Sequence, residues 1–364
     1  MDSAGIFHIP FHPFGRFQDA AARRNGVFPL FWACSGLELR FTGSELHMVL
    51  EVAFAHSEPW VVVELDGAPL IRVPLNPGVN NLCLLRGMEP GRVKRVRLFR
   101  ESQPMPADPR QRLLVQELRW EGGSFLPPEE KPLRLEFVGD SLTSGEGAAG
   151  AREDLDWVPA LFSGYGAWPR LTADALGADF RVVSQSGWGV RSGWDNDPRH
   201  ALPAWYEAVC GPSLGDACRS LGAQSYNDFS AWRPDAVLVN LGTNDANAMT
   251  QPPWLGPDGE TFRQDGGAEG LERFSYAVLL FLRKLRRCNP DARLVWAYGM
   301  AGDALRPQVE GAVERFREET GDENTWYLPL PEATEASMGS RNHPGAACHR
   351  AAAETAAAFL RSIL

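Results

Sequence analysis

Four short blocks carry side chains that could cooperate in nucleophilic chemistry: Gly139-Asp140-Ser141-Leu142-Thr143, Ser184-Gln185-Ser186-Gly187-Trp188-Gly189, Gly242-Thr243-Asn244-Asp245 and Asn342-His343-Pro344-Gly345. A serine hydroxyl is a weak nucleophile until a base takes its proton. Histidine changes charge near neutrality, so it can accept that proton and later return it to a leaving group. Attack on an ester carbonyl builds negative charge on oxygen, and preorganised N–H donors aimed at that oxygen lower the barrier. Ser141 can offer its own N–H, Gly189 a backbone N–H with no side chain in the way, and Asn244 its side-chain amide. The same residues have plainer uses. Serine commonly caps helices, Asn-Asp pairs form Asx turns, and His349 stands six residues after His343 as a rival base. Pro344 directly after His343 favours the earlier histidine, and Asp140 and Asp245 read as structural.

These blocks need a frame that gathers them, and the periodicity from residue 131 onward supplies one. Short apolar strands are predicted at 133–138, 180–183, 236–241, 294–298 and 326–328, alternating with helices at 168–176, 270–287, 306–319 and 346–364. Residues 236–241 are almost wholly apolar, as expected when helices cover both faces of a sheet. Strand–helix alternation means a parallel sheet, and such sheets place their sites beyond the carboxyl ends of the strands. Each of the four blocks lies there, with Ser141 where a strand feeds a helix.

The first 130 residues have a different period. Apolar and polar side chains alternate at 37–41 and 46–54, and 61–65 runs through Asp66-Gly67, a strong hairpin turn, into 71–73. Residues 93–99 and 113–120 are further strands, and no long stretch has a helical period. This reads as a β-sandwich. The proline- and charge-rich 126–132 then reads as a linker, so the expected domains are 1–130 and 131–364.

The blocks from 131 to 364 resemble those of the SGNH, or GDSL, hydrolase superfamily, in the same order. The resemblance implies a flavodoxin-like three-layer α/β/α domain. It implies Ser141 as nucleophile, His343 as base, and Ser141, Gly189 and Asn244 as oxyanion donors. A narrower likeness rests on Phe99-Arg100-Glu101 before the GDSL block, on Ser163-Gly164-Tyr165-Gly166-Ala167 and on 183–190. These are similar to carbohydrate esterase family 2, which joins a jelly-roll domain to an SGNH domain. That implies a serine esterase removing acetyl groups from xylan- or mannan-type oligosaccharides, with no cofactor and no metal. The rival readings are an acyltransferase of the same type and a carbohydrate-binding protein whose site has decayed.

One position departs from the pattern. SGNH enzymes usually carry Asp three residues before the histidine, and here that residue is Ser340. Serine supplies no negative charge to steady an imidazolium. Some members of carbohydrate esterase family 2 use a Ser-His dyad with a backbone carbonyl orienting the ring. Glu332, Glu335 or a main-chain oxygen could take the part, and the sequence does not choose.

Composition narrows the partners. The net charge of -10 disfavours nucleic acid. No apolar run reaches the roughly 18 residues a membrane span needs. The first residues lack the pattern of a signal peptide, and the six cysteines form no CxxC pair, which together suggest a cytoplasmic protein with reduced thiols. A disulfide between Cys210 and Cys218 and a trimmed secreted chain are the alternatives. Among twelve tryptophans, Trp188 is the candidate to stack on a sugar ring, with core packing as the competing reading and Trp194 and Trp254 as weaker candidates. The run from Trp194 to His200 could suggest a metal, but acids and histidine in a proline-containing loop are more often solvated or hydrogen-bonded. The expected partner is an acetylated sugar, and the oligomeric state is not legible.

Overall fold

A computed structural model describes residues 1–364, which divide into two compact units. The first unit is Met1–Lys131 with Trp157–Tyr165 and Ala208–Asn227; the second is Pro132–Asp156, Gly166–Glu207 and Asp228–Leu364. The boundary expected at 130–131 puts Trp157–Tyr165 and Ala208–Asn227 in the second half, whereas the structure packs both stretches into the first unit.

The first unit holds two antiparallel sheets. One runs in the order Asp2–Gly5, Arg112–Glu121, Glu45–Ala53, Gly78–Leu85. The other runs Phe125–Leu126, Gly36–Phe41, Lys94–Arg100, Trp60–Leu65, Ala68–Pro74. Alternate residues of both sheets enter one buried core, including Leu37, Leu39 and Phe41 from one and Leu46, Met48, Leu50 and Val52 from the other. Fully burying such a side chain contributes about 1.5–3 kcal/mol. Asp66 and Gly67 both have positive φ, the backbone the expected hairpin turn requires. The strand Gly78–Leu85 and the helix Asp19–Asn25 are additions to the expected elements. Half-buried Asn80 and exposed Asn81 interrupt the apolar pattern of the former, and the latter spans only two turns.

The Phe99-Arg100-Glu101 motif braces this unit. Arg100 is fully buried and donates to the carbonyls of Leu30, Ser102 and Gln103 and to Gln111 Oε1. Burial lowers its pKa to about 10. The buried Glu101 accepts from the Ser163 hydroxyl, the Tyr165 N–H and the Arg72 guanidinium. Two motifs 62 residues apart in the chain are thus one hydrogen-bonded unit.

The second unit is a five-stranded parallel sheet ordered Asp179–Ser184, Arg134–Gly139, Ala236–Asn240, Arg293–Tyr298, Thr325–Pro329. Numbered along the chain, the order is 2-1-3-4-5, that of doubly wound flavodoxin-like sheets. Helix Trp168–Leu176 packs with Ala346–Ile363, and Ala268–Cys288 with Arg306–Thr320. The pairs cover opposite faces. Phe137 is in register with Leu238 and Val295 and meets the Trp168 ring, whereas Trp296, one residue on, meets Phe281. No helix is long and apolar enough to cross a membrane. No disulfide joins any of the six cysteines, Cys210 and Cys218 included.

Candidate active site

Strand register brings the first three blocks level. Gly139 pairs with Ser184 on one side and Asn240 on the other, so the chain leaves all three strands at one height. After Gly139, Asp140 caps a single helical turn, Ser141–Ser144, its Oδ1 accepting from the Leu142 N–H at 3.0 Å. Ser141 is therefore the first residue of that turn, not its cap.

His343 arrives from the far end of the chain. Its Nε2 lies 3.0 Å from the Ser141 hydroxyl, and its Nδ1 lies 2.8 Å from the Arg341 carbonyl oxygen. A carbonyl can only accept, so Nδ1 carries the hydrogen and Nε2 is left as the acceptor for the serine proton. The oxygen that orients the ring is a main-chain one. Glu332 and Glu335 are exposed, and Glu335 pairs with Arg152. Ser340 is buried and donates to the Ala149 carbonyl at 2.7 Å, tying the histidine loop to the segment after Ser141.

That tie is close. Gly147 has φ +78°, and a Cβ there would sit 2.4 Å from the Cβ of His343. Only glycine fits. Arg341 and Asn342 have φ of 59° and 54°, a left-handed bend that turns the Arg341 carbonyl toward the imidazole. The rival His349 lies in the last helix, fully buried, with Nδ1 accepting from the Trp168 N–H. Burial, with the neighbouring His343 adding, lowers its pKa to about 4, so it stays neutral.

Asn244 opens the helix after the third strand, and its amide nitrogen reaches Asp140 Oδ2 at 3.2 Å and the Trp188 carbonyl at 3.0 Å. Burial, with the charges of Asp245 and Glu146 adding, raises the Asp140 pKa to about 7. Asp245 is buried and accepts the N–H groups of Val190 and Arg191 and the Gln264 amide. It anchors the loop after the second strand, and its carboxyl pKa is raised by burial.

Two expected roles need correction. The Gly189 N–H donates to the His200 carbonyl at 3.2 Å, and its own carbonyl accepts from Leu202, so it is spent within the loop. Gly189 is glycine because a Cβ would lie 2.4 Å from the Asp245 carboxylate. Gly187, at φ +79°, makes no such backbone donation. Trp188 is only 5% exposed and stacks on His200 with centroids 5.2 Å apart, so it presents no open face to a sugar. Trp194 is the exposed tryptophan of this loop, 51% accessible, and Trp254 lies under the Arg199 guanidinium. Asp197 pairs with Arg199, and no group of three or more acidic, histidine or cysteine side chains is placed to hold a metal.

Sequence reasoning missed Glu146. It is 1% exposed, accepts from the Ser186 hydroxyl, and lies 3.3 Å from Arg341 Nε and 3.8 Å from His343 Nε2. Its one signal was an acid between two glycines, both with positive φ.

A model of the GDSL-like lipase/acylhydrolase family matches residues 137–351, which hold all four blocks. The chain belongs to this family. Among solved structures of similar chains, an acetyl xylan esterase, Est2A, from the rumen bacterium Butyrivibrio proteoclasticus is 40% identical. The match covers 100% of this chain and 98% of that one, with a TM-score of 0.96. A family two carbohydrate esterase from Clostridium thermocellum, solved with cellohexaose, shares the fold at 22% identity and TM-score 0.80, covering 97% of this chain and 98% of that one. The cellulase/esterase CelE of Acetivibrio thermocellus is 25% identical over 344 residues, 92% of this chain. The chain spans 37% and 34% of the lengths of the curated relatives it matches.

Proposed function

We propose that this GDSL-family chain is a serine esterase that removes acetyl groups from carbohydrates. The observation that carries the reading is the 3.0 Å approach of Ser141 Oγ to His343 Nε2, with the other ring nitrogen tied to a carbonyl. In the proposed sequence His343 takes the Ser141 proton as Oγ attacks the acetyl carbon. The negative oxygen is met by the N–H groups of Ser141 and Gly187 and by the Asn244 amide, which gives up its 3.2 Å contact with Asp140 Oδ2 to reach it. Collapse expels the sugar oxygen, which takes the proton from Nε2. Water, deprotonated by the same nitrogen, then frees acetate from the acyl-serine. The full-length likeness to an acetyl xylan esterase, and the cellohexaose held by a protein of the same fold, support xylan- or glucan-type oligosaccharides as substrate class. The two antiparallel sheets of the first unit are read as the jelly-roll partner, and residues 131–364 as the catalytic part.

The test is acetyl transfer to the chain itself. Brief incubation with a chromogenic acetate should add one acetyl group, located on Ser141 by peptide mass. Ser141→Ala should lose roughly 10⁴-fold or more in kcat while keeping its Tm. Full activity in that variant ends the proposal. Released acetate from acetylated oligosaccharides, followed by NMR, reads the substrate class.

A further inference from the structure

We propose that Glu146 is the positioning residue that replaces the absent acid of the histidine loop. The inference rests on the esterase reading above. The residue where that acid is expected, Ser340, turns to the Ala149 carbonyl and gives His343 no charge. Glu146 reaches the same imidazole from the serine side of the site.

It acts in two ways. One carboxylate oxygen pairs with Arg341 Nε at 3.3 Å, while Arg341 also donates through Nη1 to the Leu155 carbonyl and through its backbone N–H to that of Asp154. Arg341 has φ 59°, a conformation an L residue with a long side chain rarely holds unaided. The ion pair keeps it there, and its carbonyl holds His343 Nδ1. The other carboxylate oxygen lies 3.8 Å from Nε2, beside the nitrogen that becomes charged when the serine proton arrives. Glu146 is itself buried, and a fixed negative charge at that distance favours the imidazolium. Ser186 steadies the carboxylate through its hydroxyl, and Gly145 and Gly147, both left-handed, bring the acid inward.

Other charged groups face this pair. Arg341 lies on the histidine's own loop, and His349 on the last helix, where it is buried and neutral. Asp140 lies at the end of the first strand, with Asp245 beyond it. Replacing Glu146 alone leaves each of these side chains in the chain and removes only their contact with its charge, so the change in the imidazole can be assigned.

Glu146→Gln keeps the shape and removes the charge. The acid limb of kcat/KM should move to lower pH, because the imidazolium loses its neighbour. The value of kcat should fall roughly 10- to 100-fold, with KM for a small acetate ester within about twofold. Glu146→Asp should recover part of both. A purely structural role would lower activity without moving the limb, and an unmoved limb overturns the proposal. A second measurement needs no turnover. In the Ser141→Ala background, the His343 C2–H signal, assigned through His343→Asn, should titrate at lower pH once Glu146→Gln is added. An unchanged titration also overturns the proposal. Acetylation of Ser141 in the unaltered chain is read separately, so failure of the esterase reading is distinct from failure of this one.

Discussion

Ser141 and Asn244 stand on the ends of buried strands, whereas His343 stands on a loop that bends through two left-handed residues. The two ends of the site are held by different means. On the serine side, sheet register fixes height, and buried carboxyls fix direction: Asp140 accepts from Leu142 and Asn244, and Asp245 accepts from Val190 and Arg191. On the histidine side there is no strand. Position comes from close backbone contact at Gly147, the Ser340 tie to Ala149, and the Arg341 carbonyl. A strand end tolerates changes in its neighbours because the ladder persists. A loop held by contact does not. The lesson is that the histidine side should fail to smaller perturbations than the serine side.

The largest expected effect lies on the serine side and needs removal of a whole functional group. Asn244→Ala deletes the side-chain donor proposed for the oxyanion and should cost about 10²- to 10³-fold in kcat, with KM little changed. Circular dichroism and Tm should match the parent, since the strand beneath is untouched. A rate within fivefold of the parent would remove Asn244 from the proposed site.

The histidine side should yield to a single methyl group. Gly147→Ala puts a Cβ only 2.4 Å from the His343 Cβ, at φ +78°. The loop must shift, and a displacement near 1 Å costs on the order of 10²-fold in rate. Steady-state kinetics with a chromogenic acetate measure it. Unaltered kcat would show that the loop has slack and would undo the contrast between the two ends.

A smaller effect separates the ends by pH. Asp140 has a folded pKa of about 7 against 3.8 for the free side chain, raised mainly by burial. Between those values the folded chain holds more protons than the unfolded one, so this group's contribution is full below 3.8 and is lost as pH rises through about 7. Asp140→Asn should flatten the stability–pH curve in that window, measured by denaturant midpoints at several pH values. It also places an amide opposite Asn244, so a fall in kcat of roughly tenfold should accompany it. An unchanged slope would mean that Asp140 is not carrying the buried proton.

The serine side was legible in the sequence because its signals are local. An apolar run followed by Gly-Asp-Ser or Gly-Thr-Asn-Asp places a residue beyond a strand, and the sheet order does the rest. The helix at 168–176 was legible through Gly177 at its end, and that at 306–319, one residue short of the observed helix, through Pro307 in its first turn. What escaped was carried by backbone geometry. The direction of the Gly189 N–H depends on how its loop doubles back to His200, which no residue type records. The Arg341 carbonyl points at the imidazole only because two successive residues adopt positive φ. Glu146 escaped because an acid in a short glycine-flanked loop normally reads as solvated. Trp188 was misjudged because a tryptophan next to glycines looks like a platform, while its stacking partner, His200, stands twelve residues away in the chain.

The thiols make each half of the molecule report on itself. Burial pushes Cys210 up to about 12 and Cys348 up to about 11, and raises Cys218 as well, so none offers a reactive thiolate while packed. Cys83 alone among the six is part-exposed. An alkylating dye should therefore mark one sulfur quickly. Every later label then records a breathing event, at Cys288 or Cys348 for the α/β half and at Cys34, Cys210 or Cys218 for the other.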